Sequence, residues 1–519
     1  MVGNTFRRKF LGLAGGGTLA AARASGQASS LTGGVCNVVE FGAPRNGRDS
    51  DTAAVQAAVD ACGAHGGGTV LFPPGSYYCG GVRLHSGVHL RLEAGAVVRG
   101  SRNLDDYPRS IPALRSYTDN YTERSLLYAE NCDNVGVHGD GVLDGHGGAF
   151  EGPYKVRPYM IRFVSCRGVS VSGVTLRDSP MWVQHYLACD DVAIHGITVH
   201  SLVNKNNDGI DIDACRRVTI SGCNVRSGDD AIVLKSTLGR VTEDVTIANC
   251  ILSSDCNAFK LGTESNGGFR NIVFGDCAIY GTRLSGIAIE MVDGGVLDNV
   301  SVSNVTMRDV RNPIFIRLGN RARPFTEGGA RPGVGSLRNI AIRGLTATGA
   351  GATGCPVSGI PGHCIENVSI AHVRLTFRGR LKDPPPDVPE NEDQYPEYRM
   401  FGPLPAYALF FRHVRNLRLT DVETGTDEPD ERAAVVCHDV EGLEVRGSTF
   451  GGDAVPVRLK DVREALFSSC RLRGAPAAFL DVSAGGVRDV SVIGNDLSRA
   501  RRAVHGLTRE VHLAANRAS

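Results

Sequence analysis

Aromatic residues are scarce in this sequence, at 6% of 519 residues, and there is a single tryptophan. Net charge is close to nil, +1 at pH 7. With no excess of either sign, no global field favours nucleic acid or an anionic membrane surface. A preference for an acidic ligand must then come from local charge. There are 15 cysteines but no Cys-x-x-Cys pair, so a zinc site is not expected, and no other metal or cofactor is implied. Beyond residues 1–28, no stretch approaches the roughly 20 apolar residues that span a bilayer. Glycine, by contrast, is abundant at 65 residues, which suits many tight turns and few long helices.

Residues 1–28 have the character of a targeting segment. Arg7-Arg8-Lys9-Phe10-Leu11 precedes a weakly apolar run rich in Gly and Ala, and Ala22-Arg23-Ala24 offers a small-residue cleavage site. The paired arginines resemble a twin-arginine export signal. An ordinary Sec signal or an unstructured tail are the alternatives. The mature protein is expected to be exported, to the periplasm or the exterior.

A short apolar motif recurs along the rest of the chain. Asn134-Val135-Gly136-Val137, Gly168-Val169-Ser170-Val171, Asp191-Val192-Ala193-Ile194, Arg217-Val218-Thr219-Ile220, Asp244-Val245-Thr246-Ile247 and Asn271-Ile272-Val273-Phe274 are its clearest copies. Weaker ones follow as far as Glu510-Val511, mostly 21 to 28 residues apart. That period, with alternating β-branched residues, indicates a β-solenoid in which each coil buries its inner face against its neighbours. A leucine-rich repeat would need a Leu-rich consensus and an asparagine ladder inside the turn, and neither is legible. The expected fold is all-β: a right-handed parallel β-helix over residues 36–519, as one domain.

Several cysteines keep step with the repeat. Cys132, Cys166, Cys189 and Cys215 each precede a motif Val by three residues, and Cys223, Cys250 and Cys277 each follow the motif by five. They are expected to stack as buried free thiols, which behave as small hydrophobes. Cys355 and Cys364 are placed to bridge a loop. Asp51 to Ala61 has helical periodicity, with Asp51 as N-cap, and would cover the open end of the solenoid. The largest insertion, Pro384 to Pro405, is too polar for core and is read equally well as a cleft wall or a surface loop.

A second strand in each coil carries the chemistry. Asp208-Gly209-Ile210-Asp211-Ile212-Asp213 aligns with Asp230-Ala231-Ile232-Val233-Leu234-Lys235, then with Asn257 to Gly262, Ser285 to Glu290 and Asn312 to Arg317. Ser179 to Gln184 is the expected preceding rung. The third and fifth positions are apolar and point inward, so the first, fourth and sixth are expected to face solvent on one surface. That surface collects Asp208, Asp211, Asp213, Asp230, Lys235, Asn257, Lys260, Glu290, Arg317 and Trp182. With coils about 4.8 Å apart, Asp208 and the Asp229-Asp230 pair become neighbours, and crowding should raise at least one carboxyl pKa toward what a general acid needs. Turn-forming aspartates are the plain alternative, strongest for Asp211 and Asp213. Trp182 suits stacking on a sugar face. Lys260 is read either as a contact for an acidic sugar or as a salt-bridge partner of Glu290 or Asp211. Glu264 and Glu290 suit sugar hydroxyls, and Arg317, with Arg321 and Arg323, forms a basic cluster.

Asn206-Asn207-Asp208-Gly209-Ile210-Asp211 followed by Ser227-Gly228-Asp229-Asp230-Ala231-Ile232 resembles the core of glycoside hydrolase family 28, the polygalacturonase and rhamnogalacturonan hydrolase family. Ser179-Pro180-Met181-Trp182, Phe41-Gly42-Ala43 and Asp49-Ser50-Asp51-Thr52 are also similar to it. The resemblance implies an inverting hydrolase in which Asp229 is the general acid and Asp208 and Asp230 hold and deprotonate the attacking water. Two motifs depart from the family. Asn257 stands where its polygalacturonases have the His of Gly-His-Gly, and Ala288-Ile289-Glu290 stands where they have Arg-Ile-Lys. Exchanging a cationic grip for a carboxylate changes the sugar bound there. The expected partner is thus an acidic or pectic polysaccharide or oligosaccharide, bound by a monomer, with unbranched polygalacturonate cleaved poorly. A polysaccharide lyase or a non-catalytic carbohydrate-binding solenoid on the same scaffold are the competing classes.

Overall fold

The computed structural model describes residues 34–116, 121–381, 387–506 and 509–518. The expected export segment, 1–28, lies outside the described residues. The chain forms a right-handed parallel β-helix in which strands of successive coils pair in parallel and in register. The motif residues sit directly above one another: Val135 on Val169, Val169 on Val192, then Val218, Val245, Ile272 and Val300. All are buried, so the period-two alternation of each strand fills a single continuous core.

The polar residue that opens most copies of the motif has a backbone reason. Asn134, Asp191, Asp244, Asn271, Asn339, Asn367 and Asn416 have φ between 55° and 59°, the left-handed region that Asn and Asp tolerate best among residues with a side chain. Their amides then bond along the stack. Asn299 Nδ2 donates to Asn271 Oδ1 (3.0 Å), Asn367 to Asn339 (2.8 Å) and Asn416 to Asn367 (2.9 Å). These bonds form an asparagine ladder on the outside of the coil, distinct from the one inside the turn that a leucine-rich repeat needs. It was not legible because its members lie on the exposed outer turn, spaced unevenly where loops intrude.

Thr52–Ala64 is the one α-helix among the described residues, and Val55, Ala58, Val59 and Cys62 are its buried face. Asp51 precedes it but does not cap it. Its carboxylate turns away to accept from Arg45 N and Tyr78 N, both at 2.8 Å, tying the helix to the first coils. All 15 cysteines are free, which corrects the proposed Cys355–Cys364 bridge. The stacked ones are buried as expected, and Cys189 N donates to Cys215 Sγ (3.3 Å) one coil away.

Candidate active site

One column of strands bears the candidate residues. Ile210–Asp213 pairs with Ile232–Ser236, that with Phe259–Ser265, then Ser285–Met291 and Asn312–Leu318. The pairs Asp211/Val233, Val233/Lys260, Lys260/Ala288 and Ala288/Phe315 match the expected alignment. The preceding coil does not. His185, not Trp182, lies opposite Asp211. Gln184 and Tyr186 point inward as a polar pair, the Tyr186 hydroxyl donating to Gln184 Oε1 (2.8 Å), so the inward face there is not purely apolar and the alternation misleads by three residues.

The outward residues point away from the coil, yet few of them meet solvent. Asp211, Asp213, Asn257, Glu290 and Arg317 are all 0% exposed, Lys260 is 1% and Trp182 is 4%. They were expected on an open face, and two features cover them. On the N-terminal side Tyr121 and Tyr159 pack on Trp182, with ring centres 5.6 and 5.8 Å away, and Tyr121 stacks on Tyr154 at 4.6 Å. Trp182 thus has aromatic neighbours, and Lys235 Nζ 4.8 Å from its ring centre, in place of a free face. On the C-terminal side the insertion, described from residue 387, folds back over the column.

Three carboxyl groups converge where these covers meet. Asp208 and Asp230 are each 3% exposed, and Asp229 is partly exposed. Backbone bonds fix the coils here, Gly209 N donating to Asp230 O (2.9 Å) and Val183 N to Asp208 O (2.8 Å). Asn207 Nδ2 bonds the carbonyls of Ser179 and Met181, clamping the turn before Asp208. Ser227 Oγ and Ser254 Oγ both donate to Asp229 O at 2.6 Å, and Asp230 N donates to Asp229 Oδ1 (2.9 Å), which sets the Asp229 side chain. Asn257 gives Asp230 Oδ1 two bonds, from N (3.1 Å) and Nδ2 (2.9 Å).

The charges are unevenly held. Lys260 Nζ lies 3.3 Å from Asp230 Oδ2 and 3.5 Å from Glu290 Oε2. Lys235 Nζ lies 3.4 Å from Glu264, 3.7 Å from Asp211 and 3.9 Å from Asp208. Burial pushes the Asp230 carboxyl up, but Lys260, Lys235 and the Asn257 amide outweigh it and hold the group below the usual range. Burial, and then the Asp230 charge, raise Asp229. Burial, Asp229 and Asp211 raise Asp208 well above the usual range. One ionised carboxylate thus stands beside two that keep their protons to higher pH, which is the asymmetry acid–base catalysis needs.

The remaining candidates take structural partners. Asp213 accepts from Thr237 N (2.9 Å) and Oγ1 (2.7 Å). Asp211 is fully buried under Lys235, and burial raises its pKa well above the usual range. Glu264 is shared by Lys235, Arg321 and Arg323. Arg317 is committed to Ser358 Oγ (3.1 Å), Gly359 O (2.9 Å) and Glu390 O (2.7 Å). Three residues absent from the sequence reading join the site. Cys256 lies beside Asp229 and Asp230, its thiol held protonated by burial and by both charges. Tyr395 and Glu397 come from the insertion. The Tyr395 hydroxyl is 3.4 Å from Lys260 Nζ and 3.1 Å from Thr263 Oγ1, and Glu397 Oε1 accepts from Asn257 Nδ2 (3.4 Å). Burial raises Glu397 to about 7 and Glu290 to about 8, despite Lys260 beside both.

Residues 65–388 match the family model for glycosyl hydrolases family 28. A probable polygalacturonase of Vitis vinifera is 30% identical over 53% of this chain, and the match spans 61% of that protein's length. An endo-polygalacturonase of Pectobacterium carotovorum is 26% identical over 52% of this chain and 72% of its own. Among solved structures, an exopolygalacturonase from Thermotoga maritima superposes with a TM-score of 0.57 at 21% identity, covering 66% of this chain and 87% of the other. The tailspike protein of bacteriophage HK620 gives 0.55 at 13% identity over 93% and 78%. At such identities the structural likeness is one of fold.

Proposed function

The chain belongs to glycosyl hydrolases family 28 and is a glycosidase, and from that premise we propose that it hydrolyses a pectic polysaccharide or oligosaccharide through Asp208, Asp229 and Asp230. The observation that carries this reading is the convergence of the three carboxyl groups with opposite pKa displacements. Asp229, partly exposed and raised, donates its proton to the leaving glycosidic oxygen. Asp230, kept ionised by Lys260 and Asn257, takes the proton of the attacking water, and Asp208 orients that water. An oxygen of Asp229 and one of Asp230 lie within 4.8 Å, closer than the roughly 6.5–9.5 Å usual between inverting carboxyls. Inversion therefore rests on the sequence motif, and the first-formed anomer, read by proton NMR, tests it.

The sugar beside Asp230 is neutral in this reading. Glu397 faces it, and Lys260 is already shared among Asp230, Glu290 and Glu397, so a galacturonate carboxylate there finds no free cation. A rhamnose-containing or branched pectic substrate fits better than polygalacturonate. The paired arginines near the N-terminus support export, and no helix among the described residues is long and apolar enough to cross a membrane. The catalytic unit is the β-helix of residues 36–519, acting as a monomer. In the test, Asp229→Asn loses turnover of a pectic substrate but keeps turnover of an aryl glycoside whose leaving group needs no proton, whereas Asp208→Asn and Asp230→Asn lose both. Near-normal rates in Asp229→Asn and Asp208→Asn on the pectic substrate refute the assignment.

A further inference from the structure

Past Lys260 the outer face of the column changes character. The next outward positions, Ala288 and Phe315, and then Phe410 and Val436, are roofed by Tyr398, Phe401 and Leu404 of the insertion and form one apolar cluster with them. The roof is tied down along its length. Arg317 Nη2 donates to Glu390 O (2.7 Å), while Arg412 Nη1 and Nη2 donate to Val388 O (2.7 Å) and Pro389 O (2.9 Å). Asn320 N donates to Glu392 O (2.6 Å). Both guanidiniums also lie over the Phe401 ring, 5.2 and 5.4 Å from its centre. Residues 387–405 are therefore a fixed strap across the groove. Its leading edge, Tyr395 and Glu397, touches Lys260 and Asn257, one coil or about 4.8 Å beyond Asp230.

We propose that this strap makes the enzyme act at chain ends, with the terminal sugar seated against Tyr395 and Glu397. The inference rests on the hydrolase reading above and adds the mode of attack. A polysaccharide laid along the column cannot continue over Ala288 and Phe315, because those side chains are already covered. The chain must end within about one coil of the acids on that side. The end wall has a matching chemistry. Tyr395 keeps 55% of its surface exposed and offers a ring for a sugar face, while Glu397 accepts bonds from sugar hydroxyls. A neutral terminal unit satisfies both, and a uronate finds no free cation there, since Lys260 is shared among Asp230, Glu290 and Glu397.

The test follows viscosity and product size while the wild-type protein digests branched pectic polymers, with a panel of neutral-ended and uronate-ended oligosaccharides alongside. Chain-end action releases mono- or disaccharides while viscosity barely falls, and neutral-ended oligosaccharides are preferred. Tyr395→Ala combined with Glu397→Gln raises KM for the neutral-ended oligosaccharide about tenfold, a 1.4 kcal/mol loss, with kcat changed less. Rapid viscosity loss with oligosaccharides of intermediate length overturns the inference while leaving the hydrolase reading intact. No cleavage of any substrate on the panel overturns that reading and this inference together, and so is distinguishable. An unchanged KM in the double variant overturns the seating of the terminal sugar on the strap.

Discussion

Replacing Lys260 by Met tests whether the ionised state of Asp230 is set by that one ammonium. The two groups are 3.3 Å apart and only 2% and 4% exposed, so solvent screening is weak. At an effective dielectric of about 20 the attraction across that gap is about 5 kcal/mol, which bounds the pKa rise at between three and four units on about 1.36 kcal/mol per unit. Lys235 still acts on Asp230 and keeps part of the stabilisation, so a rise of about two units is expected. In the proposed mechanism Asp230 must be ionised to accept a proton. The acid limb of the kcat/KM profile therefore moves to higher pH by about two units, with roughly a hundredfold loss below that limb and recovery above it. The assay is a pH–rate profile with circular dichroism at each pH, since removing one partner of a buried pair costs about 3–5 kcal/mol of stability. An acid limb that moves by less than about half a unit, in a folded variant, refutes Lys260 as the group that holds Asp230 ionised.

Other expectations follow from the same contacts. Glu290 is raised from 4.5 to about 8 in the folded protein, so its protonated form stabilises the fold below the unfolded pKa, and that contribution is lost as pH rises through 8. Glu290→Gln should therefore raise Tm at pH 9, corresponding to a few kcal/mol at about 1.36 per unit, and leave it nearly unchanged at pH 4; equal effects at both would contradict the burial argument. Arg317→Met removes charged hydrogen bonds worth roughly 1.5–3 kcal/mol each, so limited proteolysis should cut first within 387–405, and unchanged resistance would count against the anchoring role. Only Cys256 and Cys364 are other than fully buried among the 15 free thiols, so a thiol reagent should titrate at most two before the protein unfolds.

Much of this architecture is written in period-two alternation. Val135, Val169, Val192 and Val218 each occupy the same inward site, and coil-to-coil hydrogen bonding leaves no freedom to shift them. Asp208, Asp229 and Asp230 could be placed together for the same reason, since strands in register put neighbours one coil apart. The alternation fails where polar groups face inward, as Gln184 and Tyr186 do, and Trp182 was placed in the wrong row in consequence. The strap was illegible for another reason. Arg317 and Arg412 hold it through main-chain carbonyls of Val388, Pro389 and Glu390, and a carbonyl carries no side-chain signature. Tyr395 and Glu397, more than 130 residues from Lys260 and Asn257 in sequence, belong to no repeat and could not be assigned a neighbour from spacing. The solvent exposure expected of Lys260, Glu290 and Arg317 failed with it, because exposure depends on what covers a strand as well as on the direction its side chains take.

The spacing between rungs has an evolutionary consequence. The interval separating Asp208 from Asp230 is dictated by amide-to-carbonyl pairing such as Gly209 to Asp230, which any sequence able to form the coil reproduces. A sequence can therefore exchange the surrounding side chains, even a histidine for Asn257, without altering the reach between the two carboxyl groups. Insertion of one whole coil between those two aspartates would be ruinous, while insertion or loss of a coil a few rungs away would only lengthen or shorten the rod.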